Sequence, residues 1–183
     1  MFIAPINAII NLKFNLNLNL CQNCEEDFLV AKEIERKFLV RRELWRPSAE
    51  GTRICQGYLS TDPKRVVRVR MMGENAFLTI KGQNEGLARL EFEYAIPGAD
   101  AKALLKLCAL PPLNKIRYRE NIAGKVWEID EFFDANAGLL VAEIELTAVD
   151  EGFVRPEWLG EEVSYDERYF NSNLIVRPYT TWA

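Results

Sequence analysis

The chain contains no histidine. That absence removes Ser-His-Asp and Cys-His catalysis and every His-ligated metal site. Cysteine is scarce: Cys21, Cys24, Cys55 and Cys108, of which only the first two share a C-x-x-C spacing. A tetrahedral zinc site needs four ligands, and so few cysteines make no disulfide scaffold, which suits a reducing cytoplasm. The net charge is only −4, the wrong sign for a dedicated nucleic-acid binder. Long apolar runs are missing too. The Leu-rich stretch from Asn11 to Leu20 is broken by asparagines and by Lys13, whereas a membrane span needs about 20 mostly apolar residues. No small-residue cleavage site follows it, so it does not read as a signal peptide. The expectation is a cytoplasmic protein with neither a nucleic-acid nor a membrane partner. Its chemistry must rest on carboxylates, Lys, Tyr, Cys or bound ions.

What is present is an ordinary globular balance. The 183 residues are 49% hydrophobic and 27% charged, enough for one domain with a buried core. Residues 1–30 differ in composition from the rest. They are expected to be an extension that is disordered or that lies upstream of a true start at Leu29 or Val30. Residues 31–175 are expected to form the domain, and residues 176–183 a tail.

From Ala31 onward, apolar and polar residues alternate with the two-residue period of strands. Strands are predicted over Lys32–Val40, Arg53–Ser60, Val66–Met71, Ala76–Gly82, Ala88–Ile96, Lys115–Glu120, Lys125–Phe132 and Leu139–Thr147. Short turn-forming linkers separate most of them, so neighbours should be antiparallel. Ala101, Leu104, Leu105 and Cys108 follow helical spacing instead, predicting a helix over Asp100–Leu110 that Pro111-Pro112 ends. A helical turn is expected over Pro156–Leu159 and a terminal helix over Asp166–Leu174. The fold class is mainly β (α+β): an eight-stranded antiparallel β-barrel tunnel with a charged interior and a few flanking helices. An apolar core inside the sheet is the alternative orientation.

The polar faces carry an unusual pattern. Carboxylates recur at i and i+2 in Glu33/Glu35, Glu91/Glu93, Glu128/Asp130 and Glu143/Glu145. Bases do the same in Arg68/Arg70, Lys115/Arg117/Arg119 and, one to a strand, Lys37, Lys81 and Arg89. An antiparallel sheet that merely shows one face to water also carries charge, but such a face normally mixes in Ser, Thr and Gln. Like charges placed side by side repel unless something binds between them. Paired carboxylates suit a hard divalent cation such as Mg²⁺ or Mn²⁺. Clustered Arg and Lys suit phosphate oxygens. A site holding both is a receptor for a metal-chelated polyphosphate.

These residues resemble the CYTH superfamily, the triphosphate tunnel metalloenzymes. Glu33-x-Glu35-x-Lys37 matches the family's opening motif. Gln56-Gly57-Tyr58-Leu59, Arg68-x-Arg70, Thr79-x-Lys81, Arg89-x-Glu91-x-Glu93, Lys115-x-Arg117-Tyr118, Glu128-x-Asp130 and Glu143-x-Glu145 then follow in family order. The likeness covers about residues 31–175 and is nearest to short bacterial tripolyphosphatase-type members. It implies a metal-dependent hydrolase of triphosphate compounds, foremost inorganic tripolyphosphate. An adenylyl cyclase of the same superfamily, or a non-catalytic polyphosphate-binding barrel, is the alternative. It further implies metal ligands at Glu33, Glu35, Glu128, Asp130, Glu143 and Glu145, with Mg²⁺ or Mn²⁺ as cofactor. Phosphate contacts fall to Lys37, Arg68, Arg70, Lys81, Arg89, Arg117 and Arg119, and a catalytic dyad to Tyr58 and Lys115. The partner is a small-molecule triphosphate, and a homodimer is compatible with the family.

Overall fold

Nine strands in one antiparallel sheet carry almost all of the alternating segments. The structure is a computed structural model and describes residues 34–83, 91–148 and 150–182. Glu33, Arg89, Cys21 and Cys24 lie outside the described residues. The strands are β1 (Ile34–Val40), β2 (Thr52–Ser60), β3 (Arg65–Met72), β4 (Asn75–Gly82), β5 (Glu91–Ala95), β6 (Leu113–Ile122), β7 (Lys125–Phe132), β8 (Leu140–Leu146) and β9 (Leu159–Glu162). Their order across the sheet is β5-β4-β3-β2-β6-β7-β8-β1-β9. The mainly antiparallel β class with few helices therefore stands. The count is nine rather than eight, and the sheet is open: β5 and β9 are its edges among the described residues.

The sheet nonetheless curls. Arg117 on β6 reaches Glu143 on β8, across the whole width of β7. Leu39 of β1 and Tyr58 of β2 pack on one shared cluster, although three strands lie between them in the sheet. The inward face is therefore concave, and it is the charged one.

Burial follows from that choice. The outward face of β1, β7 and β8 is apolar and is covered by Trp45, Phe153 and Trp158. Trp127 sits at its centre, edge-on to Phe38, Phe153 and Trp158 at centroid distances of 5.5–5.8 Å. Edge-to-face packing of this kind adds to plain area burial. The outward face of β2–β4 is covered by helix α1 (Gly98–Leu105), through Ala101, Leu104 and Leu105. The segment after α1 lies so close to β2 that a Cβ at Gly57 would come within 2.7 Å of Cys108 Sγ. A third cluster closes one end of the inward face. Leu39, Tyr58, Leu113, Phe132 and Val141 meet Leu174 and Ile175 of helix α2 (Asn171–Val176) there, with Tyr169, Tyr179 and Trp182 alongside.

Two carboxy-terminal expectations need correction. The helical turn over Pro156–Leu159 is a single turn, closed by Leu159 N–H donating to Pro156 O at 3.0 Å, and it runs straight into β9. Leu-Gly-Glu-Glu has no alternation by which a strand could be recognised; pairing with β1 makes it one. The terminal helix over Asp166–Leu174 is two pieces, a 3-10 turn at Glu167–Tyr169 and then α2, because Phe170 between them is extended. Helix α1 is also shorter than predicted, ending at Leu105 rather than Leu110. Past it, Leu107 and Cys108 donate to Leu104 O and Leu105 O in tightened turns.

Strand β9 is tied to β1 by charge. Arg36 Nε donates to Glu162 Oε1 at 2.8 Å, its Nη2 grips the other oxygen, and the Ser164 hydroxyl donates to Oε1 at 2.7 Å. The Arg36 contact holds the Glu162 carboxyl below the usual carboxylate range. A depressed carboxyl contributes stability above the unfolded pKa of about 4.3 and loses it as pH falls through the folded value. Glu162→Gln should therefore cost on the order of 1 kcal/mol at neutral pH. The gap to wild type should close below about pH 4. Urea titrations across pH would check this, and a gap that persists at low pH would refute it.

Candidate active site

Among the described residues, the period of the strands puts the charged i, i+2 pairs Glu91/Glu93, Glu128/Asp130, Glu143/Glu145, Arg68/Arg70 and Lys115/Arg117/Arg119 on the concave face, and cross-strand register then decides which of them meet. On the acidic side, Glu35 lies opposite Glu145, Lys37 opposite Glu143, and Glu143 in turn opposite Glu128. On the next strand, Arg117 lies opposite Asp130 and Arg119 opposite Glu128. Register thus interleaves the two signs. Lys37, Arg117 and Arg119 each sit against a carboxylate of the next strand, whereas Glu35 faces Glu145 and Glu143 faces Glu128.

Lys37 and Arg117 are the two hubs. Lys37 Nζ donates to Glu143 Oε1 and lies 3.1 Å from Glu35 Oε1. Burial opposes its charge, but Glu143 and Glu35 outweigh that and hold the ammonium well above its ordinary range. Arg117 grips Asp130 with two parallel bonds, Nε to Oδ1 at 2.7 Å and Nη2 to Oδ2 at 2.6 Å. It also donates to Glu128 Oε2 and, at 2.8 Å, to Glu143 Oε2. Burial disfavours its charge too, and Asp130, Glu143 and Glu128 overcome that. For Glu143, burial alone would raise the carboxyl; Lys37, Arg117 and Lys115 reverse the sign and hold it ionised far below the usual range. Glu35 goes the other way. Burial and the neighbouring Glu143 charge raise its carboxyl despite Lys37, even though 47% of its side chain reaches solvent. Glu35 lies in a groove, surrounded by protein yet open to water.

Lys115 is buried, and its Nζ donates to Asp130 Oδ2 at 2.5 Å over the ring of Phe132. Burial, reinforced by Arg117, pushes this ammonium below its ordinary range. Tyr58 stands further along the same face. Lys115 is opposite Ile54 in register, and Gln56 lies between Ile54 and Tyr58 on β2. The buried Gln56 amide donates to the Tyr58 hydroxyl at 3.1 Å. Gln56 is thus a polar member of the site that residue type alone did not single out. Its signal in the sequence was two-residue spacing from Tyr58.

Arg68, Arg70 and Lys81 form a separate patch on β3 and β4. Arg68 and Arg70 are mostly buried, and each leaves a buried Nε without a hydrogen-bond partner. Burial and the Arg68 charge lower the Arg70 pKa. Lys81 lies 2.9 Å from Glu91. Arg119, more exposed, lies 2.7 Å from Glu128. The face thus brings together Glu35, Lys37, Arg117, Lys115, Glu128, Asp130 and Glu143, and sets Arg68, Arg70 and Lys81 across from them. Glu145 is exposed beside Glu35.

This donor set suits a hard divalent cation in kind. Glu35, Glu143 and Glu145 share one face of two paired strands and offer only oxygen. As they lie, their neighbours are Lys37 and Arg117, and among the described residues no three acidic or sulfur side chains converge on a common point. Two chemical facts follow. The bases of the face are of the kind that phosphate oxygens match, and its carboxylates of the kind that a hard cation matches. The face also balances its own charge in the absence of both.

Known proteins match this chain over the same stretch. The CYTH domain model matches residues 31–179. An inorganic triphosphatase of Acetivibrio thermocellus is 44% identical over 151 residues, covering 82% of this chain and 97% of that protein. An inorganic triphosphatase of Nitrosomonas europaea is 34% identical over 150 residues, covering 79% and 97%. A crystal structure of an inorganic triphosphatase superposes with a TM-score of 0.61 at 32% identity, covering 79% of this chain and 94% of that one.

Proposed function

The chain belongs to the CYTH domain family, and from that premise we infer that it is a hydrolase of inorganic triphosphate, cleaving a phosphoanhydride bond on its concave face. The observation that carries the reading is the Arg68–Arg70 pair, whose buried Nε–H groups await acceptors opposite a wall of carboxylates. Buried donors are normally satisfied, and phosphoryl oxygens are the acceptors that match guanidinium forks. The relatives named inorganic triphosphatase support the choice of substrate.

The proposed roles are these. Arg68, Arg70, Lys81 and Arg119 hold phosphate oxygens, joined by Lys37 and Arg117 and, from outside the described residues, by Arg89. Phosphoryl transfer needs positioning and charge neutralisation more than covalent help, and these fixed cations supply both. Lys115 and Tyr58 handle the proton of the attacking water. Burial and Arg117 lower the proton affinity of Lys115, and Gln56 orients the Tyr58 hydroxyl. Glu35, Glu143, Glu145 and Glu33 would hold the family's divalent cation, with Glu128 and Asp130 behind them and Mg²⁺ or Mn²⁺ as the proposed ion. Bound there, the cation neutralises the polyphosphate and polarises its oxygens.

Phosphate release from tripolyphosphate, ATP and thiamine triphosphate, with Mg²⁺, Mn²⁺ or EDTA, tests the reading. Release should prefer tripolyphosphate and fall by at least about 10³-fold in EDTA. Full activity in EDTA would exclude the metal role. No release from any of the three would exclude the hydrolase.

A further inference from the structure

The clearest residue left over by the proposed roles is Glu93. In a guanidinium, Nε–H and the adjacent Nη2–H form one fork that grips two oxygens of a single oxyanion. Arg117 shows the filled form on Asp130. Arg68 and Arg70 show a half-filled form. Each uses Nη2 alone, and both direct it to the same carboxylate. Arg68 donates to Glu93 Oε2 at 3.3 Å, and Arg70 donates to both Glu93 oxygens at 3.1 Å. The Nε of each arginine is buried and unpartnered. One carboxylate is therefore stretched across two forks and completes neither.

Thr79 marks the spot. It is fully buried on β4, opposite Arg68 on one side and Glu93 on the other. Its hydroxyl donates to Glu93 Oε2 at 2.8 Å and accepts from Arg68 Nη2 at 3.2 Å. Glu93 itself is on β5, an edge strand whose residues are all exposed. Its side chain is 35% exposed, against 13% and 17% for Arg68 and Arg70.

We propose that Glu93 is an internal stand-in for a phosphoryl group. It neutralises the Arg68–Arg70 cradle while substrate is absent. A phosphoryl group of the triphosphate displaces it, and the carboxylate turns to solvent at the β5 edge. This rests on the triphosphatase reading. The exchange favours phosphoryl groups over simple anions for a geometric reason. Three non-bridging oxygens can serve both Nε and both Nη2 groups, whereas a carboxylate gains nothing over Glu93. Glu93 would thereby set a threshold that a ligand passes only by filling both forks.

Calorimetric titration with tripolyphosphate in EDTA tests this, on wild type, Glu93→Gln, Arg70→Ala and the double variant. Glu93→Gln should lower Kd by about five- to tenfold, and that gain should vanish in the Arg70→Ala background. Glu93→Asp, too short to span both forks, should move in the same direction and covers the case of a Gln variant that fails to fold. Weaker or unchanged binding by folded Glu93→Gln would mean that Glu93 holds the arginines in place, and would overturn the proposal. So would a gain that persists without Arg70, which would be a general field effect. Absence of binding by wild type in EDTA would overturn this inference, and absence of binding with Mg²⁺ as well would overturn the triphosphatase reading itself.

Discussion

Replacing Arg117 with leucine is expected to remove about 3–5 kcal/mol of stability and the hydrolytic activity together. Among the described residues, Arg117 is the one base that contacts Asp130, Glu128 and Glu143 at once. Asp130 has no solvent exposure and Glu143 little. Leucine fills part of the volume but leaves Asp130 to Lys115 and Glu143 to Lys37. A buried carboxylate that loses a partner cannot recover its solvation, so the cost is the uncompensated charge rather than the lost bond. In a chain of this size that corresponds to about 6–20 °C in Tm. Thermal and urea unfolding would measure it. Arg119→Ala supplies the contrast. Its side chain is 63% exposed and, among the described residues, pairs with Glu128 alone, so the fold should survive within about 0.5 kcal/mol while KM for tripolyphosphate rises. An Arg117→Leu protein as stable as wild type would show that the ion network does not hold the concave face together.

The second large effect belongs to Tyr58→Phe. The ring packs with Leu113, Phe132 and Leu174 at the apolar end of the face, and phenylalanine preserves that packing. Only the hydroxyl is lost, together with the bond it accepts from Gln56. If Tyr58 handles a proton in the transition state, kcat should fall by about 10²–10⁴-fold. Metal-free tripolyphosphate binding should stay near wild type, because phosphate is held by the bases on β3, β4 and β6. A loss confined to the chemical step is the signature of an interaction made only in the transition state. Steady-state kinetics alongside calorimetry would separate the two. An unchanged kcat would assign the proton transfer elsewhere and leave Tyr58 as a wall residue of the apolar cluster.

Much of the site could be read from the chain because strands have an exact period of two. Once Glu128/Asp130, Arg68/Arg70 and Lys115/Arg117/Arg119 were seen at i, i+2 spacing, their shared faces followed, whatever the neighbours. Charge that repeats on one face also implied a ligand. Other features lacked such a signal. Strand β9 has no alternation, and a four-residue strand is defined by its partner. Gln56 and Thr79 carry no charge to mark them, although both stand in the motifs quoted above, and only burial makes their hydrogen bonds obligatory. Asn136 is another case. It donates to Leu174 O and accepts from Tyr179 N, joining the β7–β8 connection to the carboxy terminus.

By itself, then, the sequence determined the strands other than β9, the charges that share a face and the kind of ligand such a face suits, because these depend on residue type and local spacing. Only the tertiary structure decided which base meets which carboxylate. Arg36 and Glu162 are 126 residues apart in sequence, and Arg117 and Glu143 are 26 apart. Register between distant strands, and the curl that brings β6 to β8 across β7, set those pairs. The same long-range geometry left the sheet open at β5 and β9, closed one end of the face with α2, and placed Glu93 between two arginines that it can only half satisfy. Local spacing carries no information about these, since each depends on loop closure and packing across the whole chain.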